Sequence, residues 1–337
     1  MPVGGTKGTK QVQVAVGLIE RSGAQGREML LAWREASLHQ GNRHEFPGGK
    51  VEAGESPRQA LLRELHEELG IRVTAAQALR EIEHHYPEKT VCLSVFRVTA
   101  WQGEPVGQQG QALCWVPVGQ LSQYRLPDAN APIVRLAQLP ACYAISPVGE
   151  VCGAAVPKPA WPLQGWLYVR QPHLQAQAQW QWAQALHEQR PDLHLVVSWP
   201  AAASAAKQPW PTWLCGIQLR HAELGQVSAA QVAAWQAQGR VVLAACHDRA
   251  SLQQAERLGV DAVTLGPVQA TPTHPGQPGL GWATFAAWVA EARLPVYALG
   301  GVGPQDLSRA QQAGAYGVAG IRAFAVAPEQ TAAGTLP

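Results

Sequence analysis

The sequence predicts an α/β protein of two units: a strand-rich unit built around one capped helix, then a parallel (β/α)8 barrel. Three observations predict it. At roughly 150 residues per domain, a chain of 337 residues is long enough for two. Charge is unevenly spread: residues 1–135 carry 15 Lys/Arg and 14 Asp/Glu, whereas the longer stretch 136–337 carries only 11 and 10. After Pro140, short apolar runs alternate with helical segments, as strand–helix repeats do. The expected units are residues 1–137 and 138–337.

In the first unit, residues 11–19 (QVQVAVGLI) alternate and then run apolar, which reads as a strand. Residues 28–33 read as its hairpin partner across a polar loop. Residues 79–86 and 90–101 read as two further strands joined by a turn at Pro87-Glu88-Lys89. Between these pairs a helix begins. Ser56 suits the N-cap, Pro57 the first helical position, and Gln59 completes a capping box. Gly70 suits the stop. Leu61, Leu65 and Leu69 fall four apart and form a buried stripe, while Glu64, Glu67 and Glu68 share another face. Like charges so spaced destabilise a bare helix by a few tenths of a kcal/mol each. The face is therefore either simply solvated or a site for a hard divalent cation, which takes oxygen ligands and is commonly shared with substrate phosphates. Gly48-Gly49, just upstream, lets backbone approach a ligand closely.

The stretch Gly49–Ile71 resembles the Nudix box, G-x5-E-x7-R-E-U-x-E-E-x-G-U with U aliphatic. Gly49, Glu55, Arg63, Glu64, Leu65, Glu67, Glu68, Gly70 and Ile71 fill every fixed position. The resemblance implies an α/β/α sandwich with a mixed sheet. It also implies hydrolysis of nucleoside diphosphates linked to another group, with Mg2+ or Mn2+. It makes Glu64, Glu67 and Glu68 the metal-binding carboxylates, Glu64 also the candidate general base, and the Gly48 carbonyl a further metal ligand. Arg63 and Glu55 would hold the loop against the helix. The chemistry suits the residues, because metal ions neutralise the charge of a phosphoanhydride and a carboxylate activates water.

The resemblance extends to about residue 137 and is to the MutT, or 8-oxo-dGTP diphosphatase, type. AVGLI (15–19), WRE (33–35), EFPGGK (45–50), GEP (103–105) and LPDANAPI (126–133) carry it. It implies that Asn130 reads the oxidised purine, for which an amide offers both a donor and an acceptor. Arg34, His39 and Phe46 match positions lining the nucleotide pocket. Each has a plainer alternative: Asn130 as the cap of a helix starting near Ala131-Pro132, His39 as a loop residue, Phe46 as core. One position departs: Gln109 stands where the type has a further Glu near the metals.

In the second unit the candidate strands are 142–145, 166–169, 194–198, 214–219, 241–246, 262–265, 295–299 and 316–319, with helices at 174–189, 228–238, 250–258, 282–292 and 304–313. Loops after the seventh and eighth strands of such barrels often bind phosphate. Here they are Gly300-Gly301-Val302-Gly303 and Ala319-Gly320-Ile321-Arg322. The segment order resembles thiamine-phosphate synthase and its TenI relatives. The resemblance rests on YAIS (143–146), GIQLRHAEL (216–224), His247, LGPVQATPTHPG (265–276), ALGGV (298–302) and GVAGIRA (317–323). It implies a phosphorylated ligand held by Thr271, Thr273, Gly300, Gly301 and Gly320. The departures fall on the chemistry. His274 follows Thr271-Pro272-Thr273 where the synthases carry Lys. Ser198-Trp199-Pro200-Ala201 stands where they carry an acidic Mg2+ ligand. Glu223 matches a second acidic ligand. Arg170 survives, but its neighbouring Lys is Pro172. Synthase turnover is expected to be lost, since a pyrophosphate leaving group has little left to stabilise it. His247 and His274 remain candidate bases.

Net charge is +2, so no strong basic field points to a nucleic-acid partner. No apolar run approaches the ~20 residues that span a bilayer. The apolar stretch 14–19 after Lys7 and Lys10 is too short for a signal peptide and runs into Glu20-Arg21. Cys92, Cys114, Cys142, Cys152, Cys215 and Cys246 form no CxxC pair and fit buried thiols of a reducing compartment. The reading is a cytoplasmic, Mg2+-dependent pyrophosphohydrolase (Mn2+ serving as well). Its substrate is a small nucleotide, with neither nucleic acid nor membrane as partner. Two rivals stand beside it: a thiamine-pathway enzyme whose first unit hydrolyses thiamine-like pyrophosphates, and a barrel that only binds a phosphorylated ligand.

Overall fold

A computed structural model describes residues 10–24, 26–37, 39–148, 165–204, 210–271 and 278–324. The chain divides into two compact units, Met1–Leu139 and Pro140–Pro337.

The first unit is a seven-stranded mixed sheet. Its strands are β1 (Lys10–Gly23), β2 (Gly26–Arg34), β3 (Arg43–Glu45), β4 (Gly48–Lys50), β5 (Arg72–His85), β6 (Lys89–Gln102) and β7 (Leu113–Pro117). β1 is the hub. It pairs in parallel with β6 from Lys10↔Lys89 to Ile19↔Val98, antiparallel with β4 at Val14–Val16, and antiparallel with β2 beyond Glu20. Successive side chains of a strand point to opposite faces. Ala15 and Ile19 accordingly pack against helix α1 (Pro57–Leu69) through Leu61, Leu65 and Leu69, all fully buried. Val12, Val14 and Val16 face the other way and line a cleft.

Helix α1 starts and stops where its caps require. The Gln59 N–H donates to Ser56 Oγ (3.3 Å), the Ser56 N–H to Gln59 Oε1 (2.8 Å), and Gly70 closes the end at φ 68°. Each buried Leu of its stripe is worth roughly 1.5–3 kcal/mol, so the acidic face is carried on a helix whose other face anchors it. Helix α2 (Ala131–Gln138) follows a 3-10 turn at Asp128–Asn130 and buries Ile133, Leu136 and Ala137.

The second unit is a closed parallel barrel of β8 (Cys142–Ile145), β9 (Gly165–Val169), β10 (Leu193–Ser198), β11 (Leu214–Leu219), β12 (Val241–Cys246), β13 (Ala262–Leu265), β14 (Val296–Leu299) and β15 (Gly317–Gly320). Around it lie α3 (Ala176–Gln189), α4 (Trp199–Ser204), α5 (Ala229–Ala237), α6 (Arg249–Leu258), α7 (Gly281–Glu291) and α8 (Leu307–Gln312). The α/β class with a TIM-type barrel is thus what the sequence predicts. The barrel strands are buried on both faces, which is why they read as continuous apolar runs. Inside, Tyr143 Oη donates to Gln218 Oε1 (3.1 Å) and Tyr297 Oη to the Pro140 carbonyl (2.7 Å).

Several boundaries differ from the sequence reading. β5 begins at Arg72 rather than 79, and its pairing with β6 is irregular near Val73–Ala76 and Ala78–Arg80, which breaks the alternation a reader follows. The stretch 304–313 divides into a 3-10 turn at Pro304–Asp306 and α8. β3, β4, β7 and α4 are too short to show a period. Among the described residues no helix is long and apolar enough to cross a membrane. Cys92, Cys114, Cys142, Cys215 and Cys246 are free thiols; Cys152 lies outside the described residues.

Candidate functional site

The acidic face of α1 meets the Gly48-Gly49 strand. Gly48 sits at φ 145°, where a side chain would run into the Ala15 carbonyl, and a side chain on Gly49 would occupy the place of the Glu64 carboxylate. The backbone therefore lies directly against the acids. Arg63 organises one side of the face. Its guanidinium holds Glu55 Oε1 (2.6 Å), Glu64 Oε1 (3.0 Å), Glu67 Oε2 (3.3 Å) and the Lys50 carbonyl (3.0 Å). The bond from Arg63 holds the Glu55 carboxyl below its usual range, helped by the Glu52 N–H. Glu68 lies apart from the arginine. It accepts the Gly48 N–H (3.4 Å), and burial, then the nearby Glu64 charge, push its carboxyl up to about 7. Among the described residues no group of three or more His, Cys, Asp or Glu is placed to hold a metal ion by itself. The donor set is instead an open one: hard carboxylate oxygens and backbone at the rim of a cleft. That fits a cation whose remaining ligands come from water and substrate phosphates.

The cleft has a volume of about 560 Å3. It brings together Arg34, His39, Phe46, Gly48, Glu64, Glu68 and Asn130. Arg63 and Glu67 do not line it, and Glu67 is exposed. Gln109 is exposed outside the cleft, its N–H donating to Gln111 Oε1 (2.9 Å). Arg34 reaches across β2–β3 to Glu45 (2.7 Å) and donates from Nε to the His39 carbonyl (2.9 Å). Burial pushes the Glu45 carboxyl up, and Arg34 opposes that rise. His39 stacks edge-on against Tyr86 at 4.9 Å and lies 3.4 Å from the Glu88 carboxylate. Phe46 is both core and cleft wall, at 3% exposure. Asn130 does not cap α2. Its backbone is already helical and its side chain makes no capping bond. Its Oδ1 is buried at the cleft with no hydrogen-bond partner. An orphaned buried amide oxygen costs about 1–3 kcal/mol unless something satisfies it.

Glu45, Tyr86 and Lys89 also line the cleft and escape sequence reading. Tyr86 Oη accepts the Ala129 N–H (3.3 Å), tying the β5–β6 turn to the turn that carries Asn130. Only the pairing of distant segments brings these residues in.

The barrel holds a second cavity of about 610 Å3 at the C-terminal ends of its strands. Thr271, Gly300, Gly301 and Gly320 line it; Thr273 and His274 lie outside the described residues. Gly300 (φ 94°) packs on Pro267, so the glycine loop is also a required turn. His247 lines the cavity, donating from Nδ1 to the Gly266 carbonyl (2.6 Å), with the His221 ring 5.3 Å away. The Mg2+ that the synthase resemblance implies does not fit these residues. Ser198 Oγ is buried and donates to Gln179 Oε1 (2.9 Å), and Trp199 opens a helix. Glu223 is 3% exposed, and both its oxygens are taken by Arg220: the backbone N–H at 2.8 Å, Nε at 2.6 Å and Nη2 in close contact.

One helix of the mixed-sheet unit thus presents Glu64 and Glu68 to a cleft large enough for a small molecule. The Nudix domain profile matches residues 11–137, and the thiamine monophosphate synthase profile matches residues 165–324. The 8-oxo-dGTP diphosphatase of Escherichia coli is 38% identical over 125 residues, covering 37% of this chain and 95% of that protein. The Haemophilus influenzae 8-oxo-dGTP diphosphatase is 39% identical over 125 residues, covering 37% and 90%. The CTP pyrophosphohydrolase of Escherichia coli is 37% identical over 125 residues, covering 37% and 90%. The chain belongs to the Nudix hydrolase family, fused to a barrel of the thiamine monophosphate synthase and TenI type.

Proposed function

We propose that the Nudix unit hydrolyses 8-oxo-dGTP to 8-oxo-dGMP and pyrophosphate in the cytoplasm with Mg2+ (Mn2+ serving as well), and so cleanses the nucleotide pool used in replication. The observation that carries this reading is Asn130, which lines the cleft together with Glu64 and Glu68 and whose buried Oδ1 has no hydrogen-bond partner in the protein. It accepts a hydrogen bond from a purine N–H. Oxidation at C8 places a proton on N7, where guanine has only a lone pair, so the edge of the oxidised base supplies a donor that dGTP lacks.

Glu64, Glu67, Glu68 and the Gly48 carbonyl would hold the metal. When bound, the metal neutralises phosphate charge and acidifies water. Glu64 takes the proton of the attacking water as the α–β anhydride bond breaks and pyrophosphate leaves. Arg63 positions Glu64 and ties Glu55 to the loop. Arg34, His39 and Phe46 form the nucleotide walls.

The relatives include both purine and pyrimidine enzymes, and the fused barrel favours a second reading in which thiamine-like pyrophosphates are the substrate. The deciding experiment is kcat/KM of the full-length protein on 8-oxo-dGTP, dGTP, CTP and thiamine pyrophosphate, with products identified. Preference for 8-oxo-dGTP with pyrophosphate released is expected. Preference for CTP or thiamine pyrophosphate overturns the substrate and leaves the hydrolase.

A further inference from the structure

We propose that the barrel cavity holds a phosphate-bearing small molecule without a divalent metal, with Arg220 standing where a cation would sit against Glu223. The misfit of Mg2+ to this barrel is thus a built feature of the site. A carboxylate serves a metal through free oxygens, and Arg220 already covers both of Glu223's: Glu223 is 3% exposed, while the Arg220 side chain is half-exposed at the barrel mouth. Removing Arg220 would leave the buried Glu223 carboxylate without compensation, so the protein's own cation holds that place. Among the described residues no Asp or Glu lines the cavity.

The positive charge a metal would bring is present in the side chains. Arg170 and Arg322 line the cavity from beyond the ends of β9 and β15, beside the neutralised Arg220, and His221 and His247 face it between them. The Arg170 guanidinium has no carboxylate partner among the described residues. Arginine presents a planar fork that matches phosphate oxygens and stays charged at all working pH values. The remaining wall is mostly apolar, so the ligand has an apolar body.

Inorganic phosphate is the probe, titrated into the full-length protein labelled with 13C-histidine. The imidazole signals of His221 and His247 are assigned through His221→Asn and His247→Asn. Phosphate is expected to shift both signals saturably, with the same Kd in excess Mg2+ and in EDTA. Arg220→Ala should weaken binding in EDTA by about 10-fold, because the Glu223 charge it uncovers repels the anion, and Mg2+ should restore part of the loss by occupying the freed Glu223. Arg170→Gln should weaken binding similarly and carries the test if Arg220→Ala does not fold. Hydrolysis of dGTP by the Nudix unit and the melting curve report folding of each variant. A wild-type protein that binds phosphate only with Mg2+, or not at all at these histidines, overturns the proposal, as does an Arg170→Gln variant that binds unchanged.

Discussion

Two arginine–glutamate clusters in this chain end in opposite electrostatic states. On α1 one guanidinium, Arg63, serves Glu55, Glu64 and Glu67 together, and Glu68 is left with a single long backbone contact. At the barrel mouth one guanidinium, Arg220, serves Glu223 alone and saturates it. The first cluster has acidic charge in excess, and burial makes that excess felt. The second is balanced. A site with spare carboxylate oxygens calls for a cation; a balanced site calls for nothing, and leaves neighbouring arginines to receive an anion. The same two residue types thus build opposite sites, and stoichiometry decides which.

The comparison breaks most sharply at the excess-charge site. Glu64→Gln keeps the shape but removes the base, and kcat for nucleotide hydrolysis should fall on the order of 10^2–10^4-fold. The same steady-state assay on Arg220→Ala should read wild-type turnover. A loss in Arg220→Ala equal to that in Glu64→Gln would refute the separation of roles. Next in size is Gly48→Ala. The φ of 145° and the Ala15 carbonyl leave no room for a methyl group, and such backbone strain costs about 1–3 kcal/mol. A lower urea midpoint with reduced kcat is expected; an unchanged midpoint would mean that the strand relaxes freely.

A smaller effect sharpens specificity. Asn130→Ala should lower the kcat/KM ratio of 8-oxo-dGTP to dGTP by about 10-fold, the worth of one discriminating hydrogen bond. Hydrolysis of dGTP itself should hold, because Asn130 does not cap α2. If both substrates lose equally, the residue supports the turn and does not read the base.

Much of this was legible in the sequence because it is local. Ser56, Pro57, Gln59 and Gly70 state where α1 begins and ends, and the leucine stripe states which face is inward, so the acidic face follows. The barrel strands are legible because burial on both faces leaves uninterrupted apolar runs. What was hidden depends on distant pairing. β7 is a short run whose partner, β2, lies some eighty residues earlier, and nothing within LCWVP names it. Glu45 reads as an ordinary strand residue until β3 pairs with β2 and brings Arg34 to it. Glu223 matches an acidic metal-ligand position by sequence. That Arg220, three residues earlier, folds back to cover it is a matter of side-chain direction in a 3-10 turn. Asn130 matches a cap by residue type, and only its backbone angles rule that out.

The smallest predicted effect follows from Glu68 and tests the excess-charge half of the comparison without any substrate. Its carboxyl is raised from an ordinary 4.5 to about 7, first by burial and then by Glu64. The folded protein therefore binds this proton more tightly than the unfolded chain does. The resulting contribution is fully present below pH 4.5 and is lost as pH rises through about 7. Glu45, also raised by burial, acts in the same sense, so the Glu68 part is isolated by difference. In metal-free buffer, the Tm of wild type relative to Glu68→Gln should fall between pH 5 and pH 8. Mg2+ added at pH 8 should recover wild-type Tm more than that of Glu68→Gln, because binding to the folded state stabilises it by mass action. A difference that stays flat with pH would mean that Glu68 is already ionised and compensated, and that the α1 face is as balanced as the barrel mouth.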